Sequence, residues 1–222
     1  MTSPTPRFKR HILAFDLDGT LIDSAPDLAG AVNALFGELN LPAVELEHIR
    51  RWVGDGAPIL LQRALAHVGA RQTSAELFPR FTVHYGDNAV KLTTVYPAVA
   101  ETLAELEALG CRMGVCTNKP FKPTMQVLEA FDLARYFGAV IGGDSLPQRK
   151  PEPEPLLQVI ARLGGTPEQA ALIGDSSTDL ATAVAAGVPG IIIPSGYGME
   201  PPQAQITIGG FGELRAMLER LA

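Results

Sequence analysis

The chain has 222 residues, of which 46% are hydrophobic and 19% are charged, and its formal net charge is −6. This length suits one α/β domain with an insertion, and the apolar content is enough for a substantial core. No cluster of Lys and Arg indicates a nucleic-acid-binding face, and no apolar run approaches the ~20 residues of a membrane span. We therefore expect a cytoplasmic protein, monomeric or homodimeric, without nucleic-acid or membrane partners.

Alternating strands and helices account for most of the chain. The five short apolar runs that we predict to be buried strands are His11–Leu17, Cys111–Thr117, Ala139–Gly143, Ala170–Gly174 and Gly190–Pro194. The amphipathic stretches of helical length between them are Ala98–Leu109, Pro123–Phe131, Pro155–Leu163 and Asp179–Ala186. This alternation predicts a Rossmann-like α/β core, a parallel sheet with helices on both faces. Right-handed crossovers place the carboxyl ends of the strands at one edge, where ligands bind in open α/β sheets.

One long interval, residues 23–92, has no clear strand pattern and contains several stretches with a helical pattern. Its predicted helices are Asp27–Leu39, Glu45–Val53, Pro58–Val68 and Ala75–Val90. We interpret this interval as a small α-helical cap domain inserted after the first strand, with residues 1–22 and 93–222 forming the α/β core. The two connections between cap and core are expected at Leu21–Ser24 and Thr93–Pro97.

Paired carboxylates lie at the end of the first predicted strand, in the segment Asp16-Leu17-Asp18-Gly19-Thr20. Two carboxylates packed close together in a site repel each other unless a cation lies between them. The glycine allows the chain to turn sharply after the strand. The same residue types are also typical of an Asx turn that closes a strand, so this segment alone leaves both interpretations open.

Polar residues also lie at the ends of later strands. Thr117 and Asn118 offer a hydroxyl and backbone N–H groups that suit phosphate oxygens, although Thr117 could equally cap the next helix. Lys150 lies in a stiff proline-rich segment that could hold a cation over an anionic site, or it could be solvated. Asp175 and Asp179 suit a metal or a helix cap. Together these groups at one sheet edge predict phosphoryl transfer assisted by Mg²⁺, which prefers carboxylate oxygens.

In the order of these motifs the sequence resembles the haloacid dehalogenase superfamily of phosphatases, in which a small helical cap follows the first strand. The resemblance covers the chain from about His11 onward. Within the superfamily, the sequence is most similar to the phosphoglycolate phosphatases. The segments that carry this closer resemblance are 15–28 (FDLDGTLIDSAPDL), 52–57 (WVGDGA), 117–120 (TNKP), 142–147 (GGDSLP) and 150–151 (KP).

The resemblance implies a Mg²⁺-dependent phosphatase for a small phosphate ester, with 2-phosphoglycolate as the expected substrate. Asp16 is then the nucleophile that forms an aspartyl phosphate, and Asp18 is the general acid and base. Thr117 and Lys150 are expected to hold the phosphoryl oxygens. A phosphatase for a sugar phosphate or pyrophosphate and a phosphomutase remain alternatives. A phospho-receiver domain or a non-catalytic binding protein agrees less well with the order and completeness of the motifs.

A metal site is also implied by the resemblance. Mg²⁺ is expected to bind Asp16, the backbone carbonyl of Asp18, and Asp175. Asp179 is expected to orient Lys150 or a metal-bound water rather than to bind the metal itself. This arrangement would explain why so many acidic residues are concentrated at the predicted sheet edge of a protein that acts on an anion.

A cap loop over the phosphate is the other element that the resemblance implies. The glycine-rich segment with Gly54, Asp55 and Gly56 is expected to face the substrate when the cap closes and excludes bulk water. Asn118 is expected to contact the phosphate from the core side. An ordinary turn between two helices has a similar composition, so the interpretation depends on where the fold places this loop.

Overall fold

The computed structural model describes residues 7–86, 89–198, 204 and 206–221. The strands are β1 (Ile12–Phe15), β2 (Ile22–Asp23), β3 (Thr94–Val95), β4 (Arg112–Cys116), β5 (Phe137–Ile141), β6 (Ala170–Gly174) and β7 (Gly190–Ile192). The helices are α1 (Ala25–Glu38), α2 (Leu46–Trp52), α3 (Ala57–His67), α4 (Ser74–Gly86), α5 (Val99–Ala108), α6 (Phe121–Ala130), α7 (Glu154–Arg162), α8 (Ser177–Ala185) and α9 (Leu214–Arg220). None of the helices in the described ranges is long and apolar enough to cross a membrane.

Five of these strands form a parallel sheet in the order β5-β4-β1-β6-β7. β1 lies at its centre, between β4 and β6, and all four of its residues are buried. A strand covered on both faces needs apolar side chains at every position, which explains the continuous apolar run from Ile12 to Phe15. Each of the five coincides with a predicted strand, so the Rossmann-like parallel sheet is confirmed. The observed ends differ from the predicted ones by up to two residues, and β1 stops at Phe15, before the acidic segment.

Helices cover both faces of the sheet. On one face, α5, α6 and α9 pack in a cluster that includes Leu13, Phe15 and Val115. On the other face, α7 and α8 pack in a cluster that includes Ile12 and Ala14. Successive side chains of a strand point to opposite faces, so β1 contributes to both clusters. The predicted helices of this part of the chain are present, whereas α9 has no counterpart among them.

The helices α1 to α4 pack on one another around a separate hydrophobic cluster. Its fully buried side chains include Phe36, Ile49 and Phe81. These helices match the four predicted between the first two core strands, with ends that differ by a few residues. Residues 87 and 88 of the predicted fourth helix lie outside the described residues. The division of the chain into a core and a cap domain stays a prediction.

The two connections between the sheet and these helices form a short antiparallel pair rather than two loops. Ile22 of β2 lies opposite Val95 of β3, and Asp23 lies opposite Thr94. No strand is predicted here from sequence, because two residues are too few to show an alternating pattern. Because β2 and β3 are paired, the chain re-enters the core after α4 next to the point where it leaves the core for α1.

Candidate active site

The first group of the site, Asp16, follows β1 at the carboxyl edge of the sheet. Its backbone N–H donates to the carbonyl of Ile173 on β6 at 2.9 Å, which extends the strand pairing by one residue. The backbone N–H of Thr117 donates in the same way to Ile141 on β5 at 3.0 Å. Asp175 follows β6 directly. Because the strands are parallel, their ends bring Asp16, Thr117 and Asp175 to the same edge.

Lys150 lies between two carboxylates in the interior. Its Nζ is 2.8 Å from Oδ1 of Asp16 and 2.5 Å from Oδ1 of Asp179, and none of the three side chains is more than 5% exposed. Burial lowers the pKa of Lys150, but the charges of Asp16 and Asp179 raise it by more, so the net shift is upward. Burial raises the pKa of Asp16 to about 7, because the nearby Lys150 charge offsets only part of that effect. Lys150 therefore stays charged beside the carboxyl group of Asp16, and burial of that carboxyl group opposes its ionisation.

Three acidic side chains form a cluster with the geometry of a metal site. Asp16, Asp175 and Asp179 each place a carboxylate oxygen within 4.8 Å of the other two. Asp175 accepts hydrogen bonds from the hydroxyl of Thr20 at 3.2 Å and from that of Ser195 at 2.7 Å. Burial, and then the charges of Asp179 and Asp16, raise the pKa of Asp175. Buried acids this close repel one another when ionised, and a cation relieves that repulsion. The donor set therefore fits a hard divalent cation such as Mg²⁺.

Both oxygens of Asp179 are already engaged. Oδ1 contacts Lys150, and Oδ2 accepts from the backbone N–H of Ser176 at 3.1 Å and from its hydroxyl at 2.6 Å. Ser176 is the N-cap of α8, so Asp179 completes a capping box. The helix-capping interpretation is thus correct for Asp179, which also holds the lysine. α8 begins at Ser177, so Asp175 precedes it and the two acids do not share a helical face.

Asp18 is paired with a different lysine from Asp16. Its Oδ1 accepts from the hydroxyl of Ser24 at 2.5 Å and lies 2.9 Å from Nζ of Lys119. The same ammonium donates to the hydroxyl of Tyr85 on α4. Burial lowers the pKa of Lys119, but the charge of Asp18 and the contact with Tyr85 raise it by more, and the net shift is upward. The two aspartates of the segment after β1 are therefore each balanced by their own lysine.

Thr117 and Asn118 lie in the turn between β4 and α6. The Thr117 hydroxyl accepts from the backbone N–H two residues later at 3.2 Å, and α6 begins after Pro120, so Thr117 does not cap this helix. Nδ2 of Asn118 donates to the backbone carbonyls of Gly54 and Lys150, both at 3.1 Å. Its buried Oδ1 has no hydrogen-bond partner in the described part of the chain. Asn118 thus links the loop before α3 to the loop that carries Lys150.

A cavity of about 530 Å³ lies between the sheet edge and the helices α1, α3 and α4. The side chains from the sheet edge that line it include those of Asp16, Asp18, Thr117, Asn118 and Lys119. Those from the helices include Leu28, Leu60, Phe78, Phe81 and Tyr85. The cavity therefore has a polar floor at the strand ends and a largely apolar opposite wall. Its volume is ample for a small phosphate ester.

The loop between α2 and α3 reaches this cavity through its glycines. Gly54 and Gly56 line it and have φ values of 123° and 90°, which glycine adopts without the steric strain of a side chain. Asp55 has other partners: Oδ1 accepts from the Thr178 hydroxyl at 2.8 Å, and Oδ2 lies 2.6 Å from Arg63. The predicted cap loop thus lies at the cavity, whereas the Asp55 carboxylate joins the loop to α8. A contact of Asp55 with phosphate stays a prediction.

Several residues of the site are absent from the sequence-based predictions. The side chains that contact the acidic groups without having been predicted are those of Thr20, Ser24, Lys119, Ser176 and Ser195, and Tyr85 contacts Lys119. Lys119 belongs to the same motif as Thr117, so its position in that motif is a signal that could have identified it. Tyr85 and Ser195 come from distant segments, and only the fold brings them to the site.

Comparison with known proteins places the chain in a family. A family model described as haloacid dehalogenase-like hydrolase matches residues 13–193. The matched span begins in β1 and ends just after β7, and it contains Asp16, Lys150 and Asp175. The chain therefore belongs to the haloacid dehalogenase-like hydrolase family, and the resemblance based on its motifs is confirmed.

The names of similar proteins indicate a narrower class of hydrolase. The phosphoglycolate phosphatase of Salmonella typhi is 42% identical over 205 residues, which cover 83% of this chain and 81% of that protein. The phosphoglycolate phosphatase of Escherichia coli (strain K12) is 40% identical, with the same coverage. A crystal structure described as a predicted phosphoglycolate phosphatase from Haemophilus somnus 129pt has a TM-score of 0.89 and 32% identity, covering 95% of this chain and 99% of that one. These similarities confirm the prediction of a phosphoric monoester hydrolase.

Proposed function

We propose that this protein is a Mg²⁺-dependent phosphatase that hydrolyses 2-phosphoglycolate to glycolate and phosphate through a phosphorylated Asp16. The observation that carries the proposal is the Asp16 carboxylate, which lines the cavity and lies 2.8 Å from the buried ammonium of Lys150. A carboxylate nucleophile beside a fixed cation suits attack on an anionic phosphoryl group. The relatives named phosphoglycolate phosphatase support the choice of substrate.

The reaction proceeds in two displacements at phosphorus. In the first, an oxygen of Asp16 attacks phosphorus, and the bond to the leaving oxygen breaks as Asp18 donates a proton to that oxygen. In the second, Asp18 removes a proton from a water molecule that attacks the aspartyl phosphate and releases phosphate. The hydroxyl of Thr117 and the ammonium of Lys150 hold the phosphoryl oxygens. Asp179 keeps Lys150 in place through their 2.5 Å contact.

Asp16, the backbone carbonyl of Asp18, and Asp175 would hold Mg²⁺ in this proposal. When bound, the cation offsets the negative charge that the phosphoryl group and the carboxylates bring together. The hydroxyl groups of Thr20 and Ser195 donate to Asp175 and keep its carboxylate oriented. Asp179 is left to position Lys150, because both of its oxygens are already engaged.

The helices α1 to α4 act as the cap in this proposal, with residues 23–92 as the cap domain and residues 1–22 and 93–222 as the catalytic core. Two hydrogen bonds between the loop before α3 and the core support this role: that of Asn118 with the Gly54 carbonyl, and that of Thr178 with Asp55. A cap held down by such contacts excludes bulk water from the reacting groups.

Release of inorganic phosphate from a panel of small phosphate esters tests the proposal. We expect the Mg²⁺-loaded protein to prefer 2-phosphoglycolate and to lose activity in EDTA. Asp16→Asn is expected to lower kcat by at least about 1,000-fold, because it removes the nucleophile. Asp132→Asn, at an exposed surface position, is the matched control and should retain wild-type activity. Acid-quenched wild-type protein should carry one phosphoryl group on Asp16 by mass spectrometry.

Each alternative has its own outcome in the same experiment. Normal turnover by Asp16→Asn would refute the assignment of the nucleophile. Metal-dependent release from a sugar phosphate or from pyrophosphate in preference to 2-phosphoglycolate would keep the mechanism and replace the substrate. An isomeric phosphate ester as product would identify a phosphomutase, and absence of release from every ester would contradict a phosphatase.

A further inference from the structure

A second lysine, Lys119, is buried in the wall of the cavity, with 3% of its side chain exposed. Its Nζ lies 2.9 Å from Oδ1 of Asp18 and donates to the hydroxyl of Tyr85. The ammonium also lies over the ring of Tyr85, 4.8 Å from the ring centroid. The proposed chemistry assigns Asp18, Thr117 and Lys150 to the proton and the phosphoryl oxygens, and it leaves Lys119 without a role.

Lys119 retains one donor for a ligand. An ammonium has three N–H groups, and within the described ranges the hydrogen-bond partners of its Nζ are Asp18 and Tyr85. Lys122, another lysine that lines the cavity, is exposed to solvent, and the wall formed by α3 and α4 is largely apolar. An anionic group that enters the cavity therefore finds its desolvated cationic partner at Lys119, where charge interactions are weakly screened.

The position of Asp18 limits where that anionic group can be on the substrate. As the proposed proton donor, Asp18 lies one hydrogen bond, about 2.8 Å, from the leaving oxygen. Lys119 contacts the same carboxylate at 2.9 Å. The leaving oxygen and the group bound to Lys119 therefore lie on neighbouring sides of one carboxylate. A leaving group of two or three carbons is long enough to connect these positions.

We infer that Lys119, held by Tyr85, binds a carboxylate of the leaving group and selects phosphate esters of short hydroxy acids over neutral esters of the same size. The inference rests on the proposed function, because it uses Asp18 as the group at the leaving oxygen. A neutral leaving group leaves the spare donor of Lys119 buried without an anionic partner, which costs binding energy. Tyr85 comes from α4 and Lys119 from the turn between β4 and α6, so the subsite forms where the helical segment meets the sheet edge.

The test compares 2-phosphoglycolate with 2-hydroxyethyl phosphate, in which a CH₂OH group replaces the carboxylate. We expect the wild-type kcat/KM to be higher for 2-phosphoglycolate by about 100-fold or more, and this ratio to fall about 100-fold in Lys119→Met. Tyr85→Phe, a milder change that keeps the ring, should lower the ratio about 5-fold. Lys91→Met removes an exposed lysine and should leave the ratio unchanged.

Two further outcomes separate this inference from its rivals. If Lys119 only holds Asp18, both esters lose kcat/KM equally in Lys119→Met, and an unchanged ratio overturns the inference. Calorimetry in the Asp16→Asn background measures binding without turnover, and there Lys119→Met should weaken the affinity for 2-phosphoglycolate about 100-fold. If neither ester is hydrolysed, the proposed function fails, but calorimetry still tests the subsite. Weaker binding of 2-phosphoglycolate by Asp16→Asn with Lys119→Met than by Asp16→Asn alone supports the carboxylate subsite. Equal affinity of the two proteins, or no binding by Asp16→Asn alone, overturns it.

Discussion

The hydroxyl of Thr178, in the first turn of α8, donates a 2.8 Å hydrogen bond to Oδ1 of Asp55, in the loop before α3. α8 also begins next to Asp175, the acid proposed to bind the metal, and contains Asp179. The same helix end therefore supports the acidic cluster and fixes a loop whose neighbouring glycines line the cavity. The loop beside the cavity and the acidic cluster are thus connected through the first turn of one helix.

Thr178→Val tests this link, because valine keeps the branched shape and removes the hydroxyl. We expect kcat/KM for the preferred ester to fall about 5-fold, as one hydrogen bond between half-buried groups contributes roughly 1 kcal/mol. The free energy of unfolding should change by no more than about 1 kcal/mol, because Thr178 is only half-buried. Steady-state kinetics and urea denaturation measure both. Thr94→Val, at an exposed position, is the control, and an equal loss of activity there would contradict the link.

Lys150→Met is expected to be severe in both activity and stability. It leaves the carboxylates of Asp16 and Asp179 buried without their cation, which should lower the free energy of unfolding by about 3 kcal/mol or more. Loss of the group that we propose to hold the phosphoryl oxygens should lower kcat at least about 100-fold. Chemical denaturation and single-turnover kinetics test the two effects. Lys9→Met, at an exposed position, should change neither.

The metal-free protein should lose stability as the pH rises. Burial raises the pKa of Asp16 from 3.8 to about 7, so the folded protein holds this proton to a higher pH than the unfolded chain does. Stability should therefore fall between about pH 4 and pH 7, and Asp175, whose pKa is also raised by burial, adds to the fall. Mg²⁺ competes with protons for the carboxylates, so it should raise Tm more at about pH 8 than at about pH 5.

Thermal unfolding across this pH range, with EDTA or with Mg²⁺, provides the measurement. Asp16→Asn, which cannot ionise at this position, should show a smaller fall in stability and a smaller response to Mg²⁺. A Mg²⁺ effect of equal size at both pH values would count against the acidic cluster as the binding site. Asp132→Asn serves again as the surface control.

Gly19→Ala should damage the acidic cluster directly. Gly19 has φ of +90°, and an added Cβ would lie 2.3 Å from Oδ2 of Asp175. The backbone strain alone should lower the free energy of unfolding by about 1–2 kcal/mol. Displacement of Asp175 should raise the Mg²⁺ concentration needed for half-maximal activity about 10-fold or more. Gly30→Ala is the matched control, because an added Cβ there meets open space within a helix and should be neutral or stabilising. A Mg²⁺ titration of activity and a denaturation curve distinguish the two variants.

The sheet could be predicted from sequence because burial on both faces forces strands such as β1 and β6 to be apolar at each position. β6 even matches its predicted bounds, Ala170–Gly174. The pairing of β2 with β3 could not be predicted, since it depends on the packing that brings Ile22 opposite Val95 rather than on a local pattern. The start of α8 shows the same limit: the helix begins at Ser177, two residues before the predicted start at Asp179, because the capping box between Ser176 and Asp179 sets the start.

The candidate site was predictable where its residues follow strands, since parallel topology alone brings Asp16, Thr117 and Asp175 together. It was not predictable where contacts join distant segments. Tyr85 and Lys119 are 34 residues apart, and Ser195 and Asp175 are 20 apart, so no short-range spacing relates them. Asn118 was assigned to the phosphate by its motif, but its amide nitrogen is engaged with two backbone carbonyls, a role that only the folded loops reveal.

The pairing of Ile22 with Val95 has a consequence for how such a protein can change during evolution. Because the helical segment leaves and rejoins the sheet at adjacent positions, its two ends are separated by little more than the width of a strand pair. A segment of different length or helix number can therefore be exchanged at this point without moving β1 or β6. The cavity wall to which Tyr85 and Gly54 belong can then diverge while Asp16, Thr117 and Asp175 keep their places at the sheet edge.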